Sequence, residues 1–204
     1  MKRLVLGCLL VAGLVAPALS QGASQQVRVR GTIAGLAGNV LTVNGLAGST
    51  TKVTLAPDFK VSYIIKASLD KVAAGSYIGT AAEPQADGTL KAIEIQVFPA
   101  GFKPGPGSRP WDLTPTSTMT NGTVDNIAAI KVEKADAHVY TVIYEGGAKK
   151  VVVTPSTIVI EYLPTDAAAL TPGAHVFVIA VKNADGNLVS GSVSVGKDGL
   201  VPPM

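Results

Sequence analysis

The sequence predicts an all-β protein built as two similar small barrels in tandem. Three observations lead there. Apolar and polar residues alternate with period two along much of the chain, as in Val27, Val29 and Ile33 against Arg28, Arg30 and Thr32; a strand with that pattern buries one face and wets the other. Landmarks also return at a constant interval. Pro57 and Pro155, Gly75 and Gly173, Asp87-Gly88 and Asp185-Gly186, and Val97 and Val195 all stand 98 apart. Finally, Ala86-Asp87-Gly88 and Asn183-Ala184-Asp185-Gly186 carry hairpin turn chemistry before the last strand of each copy.

The N-terminus reads as a secretory leader. Met1-Lys2-Arg3 is basic, Leu4 to Ala16 is apolar, and Ala18 and Ser20 are small residues ahead of a polar stretch. A signal peptide over 1–20 is expected, cut after Ser20 or, alternatively, after Ala18. Leu6-Gly7-Cys8 has the flavour of a lipidation site, but only four residues separate Arg3 from Cys8, too few for a signal core. Lys2, Arg3 and Cys8 leave with the leader. The 17 basic residues then fall to 15 against 14 acidic ones, a net charge of +1 with no cysteine. That balance argues against nucleic acid as a partner, which calls for a concentrated basic face. No later segment has the length and apolarity of a spanning helix.

Residues 21–98 form the first copy. Leu41 and Val43 alternate with Thr42 and Asn44, Val53 and Leu55 with Lys52 and Thr54, and Ile93, Ile95 and Val97 with Glu94 and Gln96. Pro57 marks a bend in the third strand, since proline donates nothing to a ladder. Ser68 to Gly75 reads as a short helix, with Ser68 as N-cap and Gly75 as its stop. Residues 119–196 repeat the plan, with a bend at Pro155 and a helix capped by Asp166 and closed by Gly173. Gly31-Thr32-Ile33 aligns with Gly122-Thr123-Val124 at 91, and Leu41-Thr42-Val43 with Tyr140-Thr141-Val142 at 99. The second copy therefore has the longer first hairpin. Five or six strands with one short helix between the third and fourth resemble an OB-fold barrel; a small sandwich is the alternative. Residues 99–118 are a Pro/Gly-rich connector, which nevertheless holds Phe102, Trp111 and Leu113, and residues 197–204 are a C-terminal tail.

Taken together, Gly31-Thr32-Ile33, Leu41-Thr42-Val43, Lys52-Val53-Thr54-Leu55, the segment closing on Gly75 and Asp87-Gly88-Thr89-Leu90-Lys91-Ala92-Ile93-Glu94-Ile95 resemble a bacterial exported family of unknown function. Arg109 to Leu113, Ser117 to Val124 and Gly196 to Met204 resemble its two-copy members. The resemblance implies tandem OB-like small β-barrels and an exported protein. Some members carry a label as metal-transport permeases. A permease crosses the bilayer with helices or a closed membrane barrel, and nothing after residue 20 reads as a spanning helix. The resemblance supplies no catalytic or binding residues.

The residues point to a non-catalytic binding or scaffolding protein of the periplasm or exterior. No nucleophile-elbow motif occurs, and Glu83, Asp87 and Glu94 read as turn and solvated-face residues rather than a carboxylate pair. The glycines of the connector alternate with prolines that have no N–H to offer a phosphate. No cofactor is expected. His138 and His175 are the only histidines, short of the three or four ligands a transition metal needs; they are the seed of an alternative reading as an envelope metal-handling accessory. An enzyme of unknown class is a second alternative. Arg109, Trp111 and Asp112 are the candidate contact residues, because an ordered aromatic loop on a rigid scaffold often carries function. Their partner would be an envelope protein, a polymer or a small ligand. The competing role for Trp111 is to fill an interdomain seam.

Overall fold

A computed structural model describes residues 25–45, 48–132 and 135–204. The expected leader at 1–20 lies outside the described residues. The rest is all-β. The strands are β1 (Gln26–Ala37), β2 (Val40–Gly45), β3 (Thr50–Lys66), β4 (Tyr77–Pro84), β5 (Leu90–Val97), β6 (Gly107–Pro110), β7 (Thr118–Val132), β8 (Ala135–Tyr144), β9 (Gly147–Val153), β10 (Ile158–Thr165), β11 (His175–Lys182) and β12 (Leu188–Gly196). Among the described residues, no helix is long and apolar enough to cross a membrane.

All twelve strands belong to one hydrogen-bonded sheet, which curls on itself. β1 pairs with β2, β2 with β3, β3 with β12, β12 with β11 and β11 with β1, closing a five-stranded barrel. Its interior holds Val29, Ile33, Leu41, Val43, Val53, Leu55, Val176, Val178, Val193 and Val195, the apolar members of the alternating pattern. β4, β5, β7, β8 and β9 form a second circuit, which returns on itself through a short parallel contact, Leu90 opposite Val151 and Lys91 opposite Val152. Ile78, Leu90, Ile95, Val124, Tyr140, Val142, Val151 and Val153 fill it.

These rings do not sort by halves of the chain. The first takes three strands from the first half and two from the second; the second takes β4 and β5 with β7, β8 and β9, and β10 lies between β3 and β5. The last two strands of each half are exchanged. β3 and β10 run antiparallel between the rings with Ile64 opposite Tyr162. Those residues are 98 apart, so equivalent positions face each other across an approximate two-fold axis. A third apolar cluster lies at this seam and includes Ile64, Ala81, Met119, Ile160, Phe177 and Met204.

The helices expected after Ser68 and Asp166 are single 3-10 turns, Leu69–Lys71 and Ala167–Ala169. The expected caps are in place: Ser68 Oγ accepts from Asp70 N–H at 3.3 Å and Asp166 Oδ1 from Ala168 N–H at 2.8 Å. Too few residues separate cap from stop for an α-helix to recover its nucleation cost. At Pro155 the strand breaks between β9 and β10, whereas β3 continues through Pro57. There its pairing with β12 jumps register, Leu55 standing opposite Ser190 and Lys60 opposite Ser192.

Gly31 and Gly122, matched in the repeat, do the same job. A Cβ on Gly31 would lie 2.0 Å from Asn44 O, and one on Gly122 2.4 Å from Ile143 O. Both obstacles are backbone and cannot swing aside. Gly31→Ala is expected to destabilise the fold by about 1–3 kcal/mol through overpacking, as measured by the urea midpoint.

Candidate functional site

The connector docks by its middle. Trp111 is 7% exposed; its ring stands 6.3 Å from that of Phe177 on β11. The Arg28 guanidinium lies 3.9 Å over the other side of the indole, a cation–π contact. Arg30 grips Asp112 in a fork, Nη1 to Oδ2 at 2.9 Å and Nη2 to Oδ1 at 2.7 Å. That fork, chiefly its hydrogen bonds, holds the Asp112 carboxyl below the usual range. Arg30 Nε also donates to the main-chain oxygen of Met204. Arg28 and Arg30 are the polar partners of the β1 alternation, so the strand that fills the first barrel with Val29 clamps the connector with its other face.

Trp111 and Asp112 thus sit together on the first ring. Arg109 lies on β6, its Nη1 donating to Gly105 O at 2.8 Å. Burial first, then the neighbouring Arg28 charge, pulls its pKa below the ordinary value. The two histidines are not brought together. His175 opens β11 in the first ring opposite Thr32. His138 lies on β8 in the second, its ring 6.4 Å from that of Tyr140. No group of three His, Cys, Asp or Glu residues that could hold a metal occurs among the described residues.

An open groove lies on the other side of the connector. Its volume is about 360 Å³, and Lys71, Tyr77, Phe98, Phe102 and Lys103 are among its lining. Phe98 stacks on Tyr162, with centroids 5.4 Å apart and planes at 18°. Tyr77 and Phe102 flank it at 6.0 and 5.9 Å, and Phe102 is 53% exposed. Lys103 Nζ is 5.8 Å from the Tyr77 ring centroid. Lys71 Nζ donates to both Glu161 oxygens at 2.7 and 2.6 Å. The lining contains no histidine or carboxylate, and Ser76 Oγ accepts from Ala73 N–H. The groove therefore offers stacking faces and the Lys103 ammonium, Lys71 being taken by Glu161.

The groove lies at a break in the repeat. Gly101 and Gly199, 98 apart, have φ of 80° and 79°. The turns match as well: Phe102 N–H donates to Pro99 O and Leu200 N–H to Lys197 O, each at 3.0 Å. The tail is thus the counterpart of the start of the connector. It lies directly on its strand, because Gly196 presents no side chain; a Cβ there would be 1.6 Å from Leu200 O. Phe98 occupies the equivalent position in the first half. Its ring packs among those of Tyr77, Phe102 and Tyr162.

Glu94 corrects the reading of its strand. It and Gln96, expected on the solvated face, are 0% and 4% exposed. β5 packs on two sides, Ile95 into the second ring and Glu94 and Gln96 toward the seam. Tyr162 OH donates to Gln96 Oε1 at 3.0 Å. Neither Glu94 oxygen has a hydrogen-bond partner. Burial dominates there and pushes its pKa up to about 8, against the opposing pull of Gln96 and Arg30. The aligned residues of the second copy are Ser192 and Ser194. The signals available in sequence were these breaks in the repeat, Glu94 against Ser192 and Phe98 against Gly196. No protein family, curated protein or solved structure matches this chain.

Proposed function

We propose that this protein is a non-catalytic, exported binding module and that the groove lined by Tyr77, Phe98 and Phe102 is its contact surface. The observation that carries this reading is Phe98. One half of the repeat closes over a glycine, while the other carries an aromatic ring at that position and leaves Phe102 in solvent. An exposed aromatic on a rigid frame supplies contact area at little entropic cost. Lys103 stands at the groove and Arg109 lies near Tyr77, while Lys71 is paired with Glu161, so the local charge favours an anion at the Lys103 side. A ring-bearing anionic ligand, such as an acidic sugar of an envelope or extracellular polymer, matches both features. Trp111 and Asp112 then hold the connector in place and Arg109 extends the basic rim. In this reading each ring is OB-like. The first follows the order first, second, third, fifth, fourth, its last two strands supplied by the other half, and the connection from third to fourth strand carries the 3-10 turn.

Calorimetric titration with a uronic-acid oligosaccharide tests the proposal. Binding is expected, weakened by raised salt. Phe102→Ala should weaken it about tenfold, which corresponds to about 1.4 kcal/mol. Unchanged affinity in Phe102→Ala overturns the groove as the contact. Equal affinity for a neutral oligosaccharide of the same length overturns the anionic ligand while leaving the groove.

A further inference from the structure

Glu94 sits at the seam with the Gln96 amide near it, yet neither of its oxygens has a partner at hydrogen-bond distance among the described residues. Ala81 of β4 stands directly across from it, with Met119 of β7 next in the row. β3 contributes Ile64 to the seam and β10 contributes Ile160 and the Tyr162 phenol. The tail contributes Met204, whose Sδ is 3.2 Å from Tyr162 Oη and 3.7 Å from Gln96 Nε2. The cation whose charge reaches Glu94 is Arg30 of β1. Arg30 is already committed to Asp112 of the connector and to the Met204 oxygen, and Arg28 beside it faces Trp111 and Asp112.

A carboxyl without partners, fully buried, is held neutral, because an unpaired buried charge is far costlier than its acid. When it ionises, the Gln96 amide is the near neutral donor, but Gln96 is already engaged by Tyr162 and Met204, so a full charge calls on water entering the seam or on Arg30 turning inward. Either movement undoes contacts that hold the connector and the tail. We propose that the seam between the rings is a proton-controlled latch: protonated Glu94 keeps it shut, and loss of that proton draws Arg30 from Asp112 and Met204 and loosens the Trp111 segment. Phe98 stacks on Tyr162 in this same seam, so the groove floor is fastened to the latch. Burial raises the Tyr162 phenol, which keeps it protonated while Glu94 titrates.

Trp111 is the only tryptophan, and it reports on the latch in the full chain. Its emission, followed from about pH 6 to about pH 9.5, is expected to shift reversibly to the red with a midpoint near 8, while far-UV circular dichroism holds steady. Glu94→Gln should abolish the transition. The same transition in Glu94→Gln, or a flat profile in the parent protein, overturns the proposal. Infrared difference spectra of the parent protein test it without any variant. The C=O stretch of a buried carboxylic acid should be present at the acid end and vanish with the fluorescence midpoint, and its absence at the acid end also overturns the latch.

Discussion

Trp111→Ala is expected to cost about 3–5 kcal/mol, the range for truncating a large buried aromatic. The indole fills the space between Phe177 and the Arg28 guanidinium. Its removal leaves a cavity and takes the aromatic partner from a half-buried cation. The main-chain bonds of this residue, Trp111 N–H to Ser117 O and Ser117 Oγ to Trp111 O, survive the substitution, so the turn leading into β7 should keep its form. Trp111→Phe should cost much less. The indole Nε1 is buried without an acceptor, and replacing it removes an unsatisfied donor. Urea denaturation followed by far-UV circular dichroism reads both variants. A cost below about 1 kcal/mol for Trp111→Ala would show that the connector is dispensable to the core.

The second large effect is on stability against pH. Glu94 has an ordinary pKa of 4.5 and a folded value of about 8. Between those values the unfolded chain releases a proton that the folded chain retains. Stability is therefore unaffected by this group below 4.5, falls as pH rises above it, and bears the full loss once pH passes 8. The difference corresponds to an upper figure of about 5 kcal/mol, comparable with the whole stability of many domains of this size. Asp112 acts in the opposite sense. Its folded pKa is depressed, so its contribution is present above its ordinary pKa and lost as pH falls through the folded value. Glu94→Gln should flatten the alkaline limb and leave the acid limb intact. Denaturant midpoints across the pH range check this, and an alkaline limb unchanged by the substitution would assign it to another group.

Much of the local structure was legible in the residues. The alternation of Val53 and Leu55 with Lys52 and Thr54 gave β3 its buried face, and the Asp-Gly pairs gave the last hairpin of each half. Ser68 and Asp166 do cap turns, and Gly75 and Gly173 do adopt positive φ, 88° and 85°. The length of those turns was misread, because cap and stop residues look alike around an α-helix and a single 3-10 turn. Glu94 was misread for a different reason. Alternation separates the two faces of a strand but does not say what covers the second one, and the seam covers it here. The groove was hidden because its rings, Tyr77, Phe98 and Phe102, come from separate elements and carry no shared spacing.

By itself the sequence determined most strand segments, though not β6 inside the connector, which face of most of them is apolar and where the chain turns, since these follow from side-chain polarity and from the special backbone behaviour of glycine and proline. It also shows landmarks that recur 98 residues apart. Only the tertiary structure decided which strands close each ring. Copies with the same pattern fit either partner equally well, and local preference cannot choose between them. β3 makes the choice: its 17 residues reach roughly 55 Å at the rise of a strand, beyond the first ring and across the seam. The chain is thereby delivered to the second ring before β4 begins, and the burial of Glu94, the clamp on Trp111 and the open groove all follow from that crossing.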